Sequence, residues 1–323
     1  LPAKNKATLI PQRKTGNGLV IITAPAHPHL VERLEAAGFS VWYAPAEPVE
    51  QIRERVADAV GLVVSTRVRV DRSWIDAAPH LQWIGRLGSG MELIDVPYAL
   101  SKNIVCVSSP EGNRQAVAEH VLGLMLAISK RIPLAAAQVK TGIWERDGNR
   151  GFEWTGKTMG IVGLGNTGSA VARVIRGLDM HTMAYDRYKT DFGGKDVREV
   201  TWEQIARYAD VISFHVPLTE ETHHMANEAF FRSLKQQPVI INASRGAVVD
   251  TAALWMALEE GLISGAGLDV LEEERIAAWT AEQKALYNKL LAHPRVVITP
   301  HIGGYSEQAT YKMSAVLLEK LGY

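Results

Sequence analysis

"TMGIVGLGNTGSAV", residues 158–171, places an apolar run, a turn of three spaced glycines and a helix-period continuation in a single line. The order decides the reading. A short apolar run that ends in a GxGxxG turn and opens into a helix is how a parallel strand delivers a helix N-terminus to an anion. Gly163 permits the tight turn, and Gly165 lets the main chain approach a pyrophosphate. Gly168 lets helix and strand pack closely, and the helix start at Asn166 and Thr167 presents free N–H groups. Such a turn requires an acid about 20 residues on. Asp186 ends "HTMAYD" 23 positions after Gly163. A carboxylate there accepts hydrogen bonds from adenosine ribose hydroxyls and repels a 2′-phosphate, which favours NAD over NADP. Arg187, the next residue, weakens that discrimination.

The same alternation extends in both directions. Downstream, "DVISFHVP", "PVIINAS", "GAGLDV" and "RVVITP" are apolar runs separated by helix-period stretches such as "DTAALWMALEEG". Upstream, from Leu19, a separate series runs through "LVIITA", "SVWYA", "GLVVS", "LQWIGRLG" and "NIVCVSS", with "HLVERLEAAG" and "VEQIRERVADA" between. This spacing predicts two α/β domains, each a parallel sheet with crossover helices, and a cleft between them. "EGNRQAVAEHVLGLMLAISKRI" reads as one long, largely buried helix, and "KTGIWERDGNRGFEWTGK" as the loop that follows it.

Bulk properties narrow the function classes. The 323 residues suggest about two domains. Lys+Arg and Asp+Glu are both 35, a formal net charge of zero, which argues against nucleic acid or an anionic membrane as partner. The single cysteine, Cys106, excludes an internal disulfide or a Cys-rich metal site and fits a reduced cytoplasm. No metal-ligand cluster is visible. The first 17 or so residues are polar and basic, and are expected to form a loose arm rather than a secretory signal.

"INASRGAVVD" (241–250), "GLDVLEEER" (267–275) and "TPHIGG" (299–304) resemble the D-2-hydroxyacid dehydrogenase family, which includes phosphoglycerate dehydrogenase. "GRLGSGMELIDVPYALSKNI", "SPEGNRQAVAEHVLGLML" and "SFHVPLTEETHHM" extend the resemblance over nearly the whole chain, from about Arg67 to Gly304. The resemblance implies a flavodoxin-like substrate-binding domain (1–112 with 302–323) and a Rossmann NAD-binding domain (113–301). It also implies a homodimer, with the long helix and the "KTGIWERDG" loop as the contact.

The resemblance assigns catalysis to Arg245, Glu274 and His301. Reducing a 2-oxo acid needs a hydride at C2 and a proton at the developing alkoxide, and an imidazole suits the proton transfer. A nearby carboxylate stabilises the imidazolium, and a guanidinium holds the substrate carboxylate through its planar fork. Each residue has a plainer reading. Arg245 could be a surface residue after a strand, and His301 alone is an ordinary histidine. Composition leaves Glu272, Glu273 and Glu274 equivalent; the family's spacing, five positions after Asp269, selects Glu274. By similarity Arg67 and the Ser89 and Gly90 amides contact substrate together with Arg245 and His301. His215, Val216, Pro217 and Thr222 line the cofactor, Ala243 and Asp269 bond the nicotinamide carboxamide, and Ser244, Arg245, His301 and Gly303 adjoin it. The paired His223 and His224 are expected to be exposed.

There are departures. Arg275 follows Glu274 where many relatives have proline, and "RIAAWTAEQKALYNKLLAHP" before His301 is long and helix-like. Both bear on the geometry around Glu274. Near Arg67, only Arg69 and Arg86 are added cations for a substrate phosphate, so phosphoglycerate, glyoxylate or hydroxypyruvate, and lactate-type substrates all remain open. Formate oxidation is disfavoured, because it needs no proton acceptor and that branch has glutamine at the position of Glu274. An NAD-responsive binding protein of the corepressor type is the alternative from another class.

Overall fold

The computed structural model describes residues 16–323, so the arm expected at the start of the chain falls, up to residue 15, outside the described residues. The chain divides into two compact units. One comprises the described part of Leu1–Asn113 with Tyr305–Tyr323, the other Arg114–Gly304.

In the first unit the β-branched runs form β1 (Leu19–Ile22), β2 (Ser40–Tyr43), β3 (Ala59–Val64), β4 (Trp83–Arg86) and β5 (Val105–Ser108). All pair in parallel, in the order β2-β1-β3-β4-β5, which is the flavodoxin-like arrangement. Successive side chains of a strand point to opposite faces. Thus Ile21 joins Leu62, Val64 and Ile84 in one layer, while Val20, Ile22 and Val63 face the other. That second layer is closed by Leu317, Leu318 and Leu321 of the helix Glu307–Leu321, each contributing about 1.5–3 kcal/mol by burial. Lys320 on this helix binds Glu111 at 2.8 Å and the Ser108 carbonyl at 2.8 Å. Cys106 on β5 is half-buried, and burial pushes its thiol up to about 11, which leaves it neutral and unreactive.

The second unit has β6 (Thr158–Val162), β7 (His181–Tyr185), β8 (Arg198–Glu199), β9 (Val211–Phe214), β10 (Val239–Asn242), β11 (Gly265–Leu268) and β12 (Val296–Ile298). The order is β12-β11-β10-β9-β6-β7-β8, again all parallel. This is a Rossmann sheet extended by one strand. Strand order reverses at β6, so the loops after β6 and β9 open at the switch point, where such sheets bind ligands. The helix Asn166–Val174 runs directly from the glycine turn and buries Ala170, Val171 and Ala172.

Some elements differ from the sequence reading. The long helix read over 111–132 is Pro110–Ser129, and a second helix, Ile132–Lys140, follows it at a bend of 62°. Pro133 explains the break: its ring cannot tolerate the carbonyl four residues earlier, that of Ser129. That carbonyl instead accepts a hydrogen bond from Phe152 N–H at 3.0 Å, and Arg131 takes a left-handed φ of 54°. "IPLAAAQVK" is therefore a separate helix, which was not anticipated. The short β8 and the helix Glu228–Ser233 were not anticipated. The helix-like stretch before His301 is the helix Ala281–Ala292, opened by a Thr280–Gln283 capping box. No single helix among the described residues is long and apolar enough to cross a membrane.

Candidate active site

Six of the seven strands of the second unit end at a residue singled out in the sequence. Gly163 follows β6, Asp186 follows β7, His215 follows β9, Ala243 to Arg245 follow β10, Asp269 and Glu274 follow β11, and His301 lies three residues beyond β12. Because the strands are parallel, all these residues belong to one edge of one sheet.

The glycine turn has the form an anion requires. Gly163 sits at φ 92°, and a Cβ there would lie 2.6 Å from the His215 carbonyl. A Cβ on Gly168 would lie 2.1 Å from the Gly163 carbonyl, so helix and strand touch through this glycine. On Gly165 a Cβ would meet nothing within 4 Å, and this N-cap position has no side-chain capping bond. Room is thus open beside Gly165 at the helix N-terminus, as a pyrophosphate needs. Asp186 accepts from Leu164 N–H at 2.9 Å and from Tyr188 N–H at 3.0 Å, which ties the acid to the glycine turn. Arg187 pairs with Glu221 at 3.1 Å, a competitor for any 2′-phosphate. These residues fit a dinucleotide.

His215 is more specialised than the sequence suggested. Its Nε2 shares a hydrogen with Ser213 Oγ at 2.8 Å, while its buried Nδ1 has no hydrogen-bond partner among the described residues. Burial pushes its pKa down to about 3, so the ring is neutral. Thr222 donates to the Pro217 carbonyl at 2.6 Å and accepts from Thr219 N–H at 2.8 Å, shaping the loop that carries Val216.

His301 and Glu274 are brought together: Nδ1 lies 2.9 Å from Oε1 and 3.0 Å from Oε2. Both side chains are partly exposed. His301 takes a left-handed φ of 55°, which histidine adopts more readily than most residues but still at a cost. Arg275, the departure from the family pattern, leaves this pair alone. Its guanidinium and N–H bind Glu273 at 2.8–3.0 Å and hold that carboxyl down at about 2. Each of the three adjacent glutamates therefore has partners of its own. Glu272 accepts from Thr251 N–H and Oγ at 2.8 and 2.6 Å and meets His224 at 2.8 Å.

Arg245 donates to the Ser244 carbonyl at 2.6 Å, and its own carbonyl accepts from Asn242 at 2.9 Å. A Cβ on Gly246 would lie 1.9 Å from the Leu271 carbonyl, so the loop of Arg245 is pressed against the segment leading to Glu274. Asp269 is only 2 % exposed. Burial would raise its carboxyl, but hydrogen bonds from His120, Thr299, Gly303 N–H and Ile302 N–H hold it below the usual carboxylate range. His224, expected to be exposed, is half-buried and paired with Glu272; only His223 beside it is exposed.

Sequence reasoning missed His120 and Thr299, and named Glu272 only as a neighbour from which Glu274 had to be told. His120 and Thr299 are 179 positions apart, and nothing in periodicity joins them. Among the described residues no cluster of His, Cys, Asp and Glu could hold a metal ion.

In the first unit, Ser89 and Gly90 follow β4 in a turn where Gly88 has φ 133°. Arg67 follows β3, and its guanidinium donates to the Pro45 carbonyl at 2.6 Å, the Ala44 carbonyl at 3.3 Å and the Glu47 carbonyl. Arg86 is buried and donates to the Leu87 carbonyl.

A glycine turn fitted to a dinucleotide and an imidazole–carboxylate pair thus lie on one edge of a parallel α/β sheet. Residues 122–303 match the family model described as D-isomer specific 2-hydroxyacid dehydrogenase, NAD binding domain. The chain is 34% identical to a glyoxylate reductase of Pyrococcus furiosus over 292 residues, which are 87% of this chain and 84% of that one. It is 35% identical to a D-3-phosphoglycerate dehydrogenase of Methanocaldococcus jannaschii over 307 residues, 94% of this chain and 56% of that one. The chain thus spans about half the length of the phosphoglycerate dehydrogenases it matches. Among solved structures, a Thermus thermophilus protein aligns with TM-score 0.82 at 31% identity, covering 94% of this chain and 97% of that one. A D-lactate dehydrogenase from Aquifex aeolicus, complexed with NAD and lactic acid, aligns with TM-score 0.80 at 27% identity, covering 93% of each. The chain belongs to the D-isomer specific 2-hydroxyacid dehydrogenase family, and residues 122–303 are its NAD-binding domain.

Proposed function

We propose that this chain catalyses NAD-dependent interconversion of a small D-2-hydroxy acid and its 2-oxo acid. The observation that carries the reading is the His301–Glu274 pair at 2.9 Å, on the same sheet edge as the Gly163–Gly168 turn. When bound, the nicotinamide supplies or accepts the hydride at C2. The residues do the rest. His301 holds the proton delivered to the alkoxide oxygen in reduction and takes it back in oxidation. Glu274 stabilises the imidazolium and fixes the ring through Nδ1, leaving Nε2 for the substrate. Arg245 holds the substrate carboxylate and polarises the carbonyl.

In this reading the unit built on β1–β5 binds substrate through Ser89 and Gly90, Arg67 being held on the main-chain carbonyls of Ala44 and Pro45 rather than contacting substrate as the resemblance implied, and the unit of Arg114–Gly304 binds NAD. The substrate is a 2-oxo acid of the glyoxylate or hydroxypyruvate type, with 3-phosphohydroxypyruvate as the competitor. Arg67 spends its guanidinium on main-chain carbonyls, which supports the unphosphorylated compounds. A homodimer is supported by the exposed apolar side chains Ile132, Val139, Ile143 and Trp144 on the helix Ile132–Lys140 and the loop after it.

Turnover of NADH with glyoxylate, hydroxypyruvate and 3-phosphohydroxypyruvate tests the reading. Reduction of at least one is expected, with kcat/KM highest for an unphosphorylated acid. Saturable NADH binding without turnover of any 2-oxo acid would overturn it in favour of a binding role.

A further inference from the structure

The turn that carries His301 ends on one buried carboxylate. Asp269 Oδ1 accepts from Ile302 N–H at 2.9 Å and Oδ2 from Gly303 N–H at 2.7 Å, while its main-chain oxygen accepts from His301 N–H at 2.8 Å. Thr299 Oγ lies 2.6 Å from Oδ1. Four of the five residues from 299 to 303 are therefore bound to Asp269, and the left-handed backbone of His301 is held between them.

His120, from the helix Pro110–Ser129, completes this arrangement. Its Nε2 lies 2.9 Å from Thr299 Oγ and 3.2 Å from Asp269 Oδ1. The proton positions follow from counting. Thr299 has one hydroxyl proton, and an ionised carboxylate can only accept, so that proton goes to Asp269. The contact between His120 and Thr299 must then use a proton on Nε2, which fixes the tautomer. The fit is tight as well: a Cβ on Gly303 would lie 2.8 Å from Asp269 Oδ2 and 3.3 Å from the His120 ring. A carboxylate this deeply buried depends on each of its donors.

We propose that His120 is a positioning residue for the reaction. Through Nε2 it orients Thr299 and Asp269, and through them it sets the turn that keeps His301 against Glu274. The inference rests on the functional reading above, so its test includes a readout independent of turnover.

The test compares wild type with His120→Leu, which removes the donor, and His120→Gln, whose amide nitrogen can reach the position of Nε2. NADH-coupled reduction, NADH affinity by fluorescence titration, and the His301 ring resonances by NMR (assigned with His301→Asn) are measured for all three. Mispositioning of an acid–base group predicts kcat about 10-fold lower in His120→Leu, with NADH affinity reduced by less than kcat, a displaced His301 resonance, and recovery of kcat and resonance in His120→Gln. Unchanged kcat and resonance in His120→Leu would overturn the proposal. So would equal impairment in the two variants, which marks a purely structural role. If wild type turns over no 2-oxo acid, the functional reading fails, while the His301 resonances still decide whether His120 positions the ring.

Discussion

A histidine held at φ 55° beside a glutamate is the most demanding residue of this chain, and its surroundings explain how the demand is met. Glu274 keeps the pair together because Arg275 binds Glu273 and Thr251 with His224 binds Glu272. Glu274→Gln retains a hydrogen-bonding group but removes the charge that stabilises the imidazolium. Its kcat for reduction is therefore expected to fall about 10²-fold at fixed pH while NADH still binds, read by NADH oxidation and by titration. Near-normal turnover would remove Glu274 from its role. His215 gives a second prediction at this scale. Its folded-state pKa of about 3 lies below the ordinary 6.5. Between those values the unfolded chain binds a proton that the native ring refuses, so the stability contribution is full above about 6.5 and lost as pH falls towards 3. His215→Gln is expected to lose less stability between pH 7 and pH 5, measured as the shift of the urea midpoint. Parallel losses in variant and wild type would contradict the burial of a neutral ring.

At the scale of elements, two glycines of one turn separate packing from binding. Gly168→Ala places a Cβ 2.1 Å from the Gly163 carbonyl, and overpacking of this kind costs about 1–3 kcal/mol. Gly165→Ala meets no protein atom within 4 Å and has an ordinary backbone angle of −83°. Its stability is therefore expected to stay near wild type, while NADH binding weakens roughly 10-fold or more because the main chain can no longer approach a pyrophosphate. Denaturant midpoints and NADH titration of the two variants check this. Loss of stability without loss of affinity in Gly165→Ala would refute it. The turn was legible in the sequence because strand, glycines and helix are adjacent. Both sheets were legible for the same reason, since alternation is a local signal. The bend at Arg131 was not, although Pro133 is in plain view, because the helix Ile132–Lys140 continues the apolar pattern across the break. Glu274 could be told from its two neighbours only by family spacing. In the folded chain what distinguishes the three is their partners, and those lie on other loops. His120 was invisible for a related reason: its partners at Asp269 and Thr299 are brought to it by the sheet, not by sequence proximity.

At the scale of the whole molecule, an exposed tryptophan needs an explanation. Trp144 is 81 % exposed and lies close in sequence to Ile132, Val139 and Ile143, each more than half exposed. Light scattering is expected to give twice the 35.4 kDa chain mass, and Trp144→Arg to shift the equilibrium towards monomer. A monomeric wild type would contradict the proposed dimer. The account as a whole rests on the pairing of a dinucleotide turn with an acid–base histidine, and one measurement bears on that most directly. NADH oxidation is followed with glyoxylate, hydroxypyruvate and 3-phosphohydroxypyruvate, for wild type and for His301→Asn, with NADH affinity titrated in parallel. Wild type is expected to turn over at least one of the three, and His301→Asn to lose at least ~10²-fold in turnover while still binding NADH. Near-normal turnover in the variant would contradict the account.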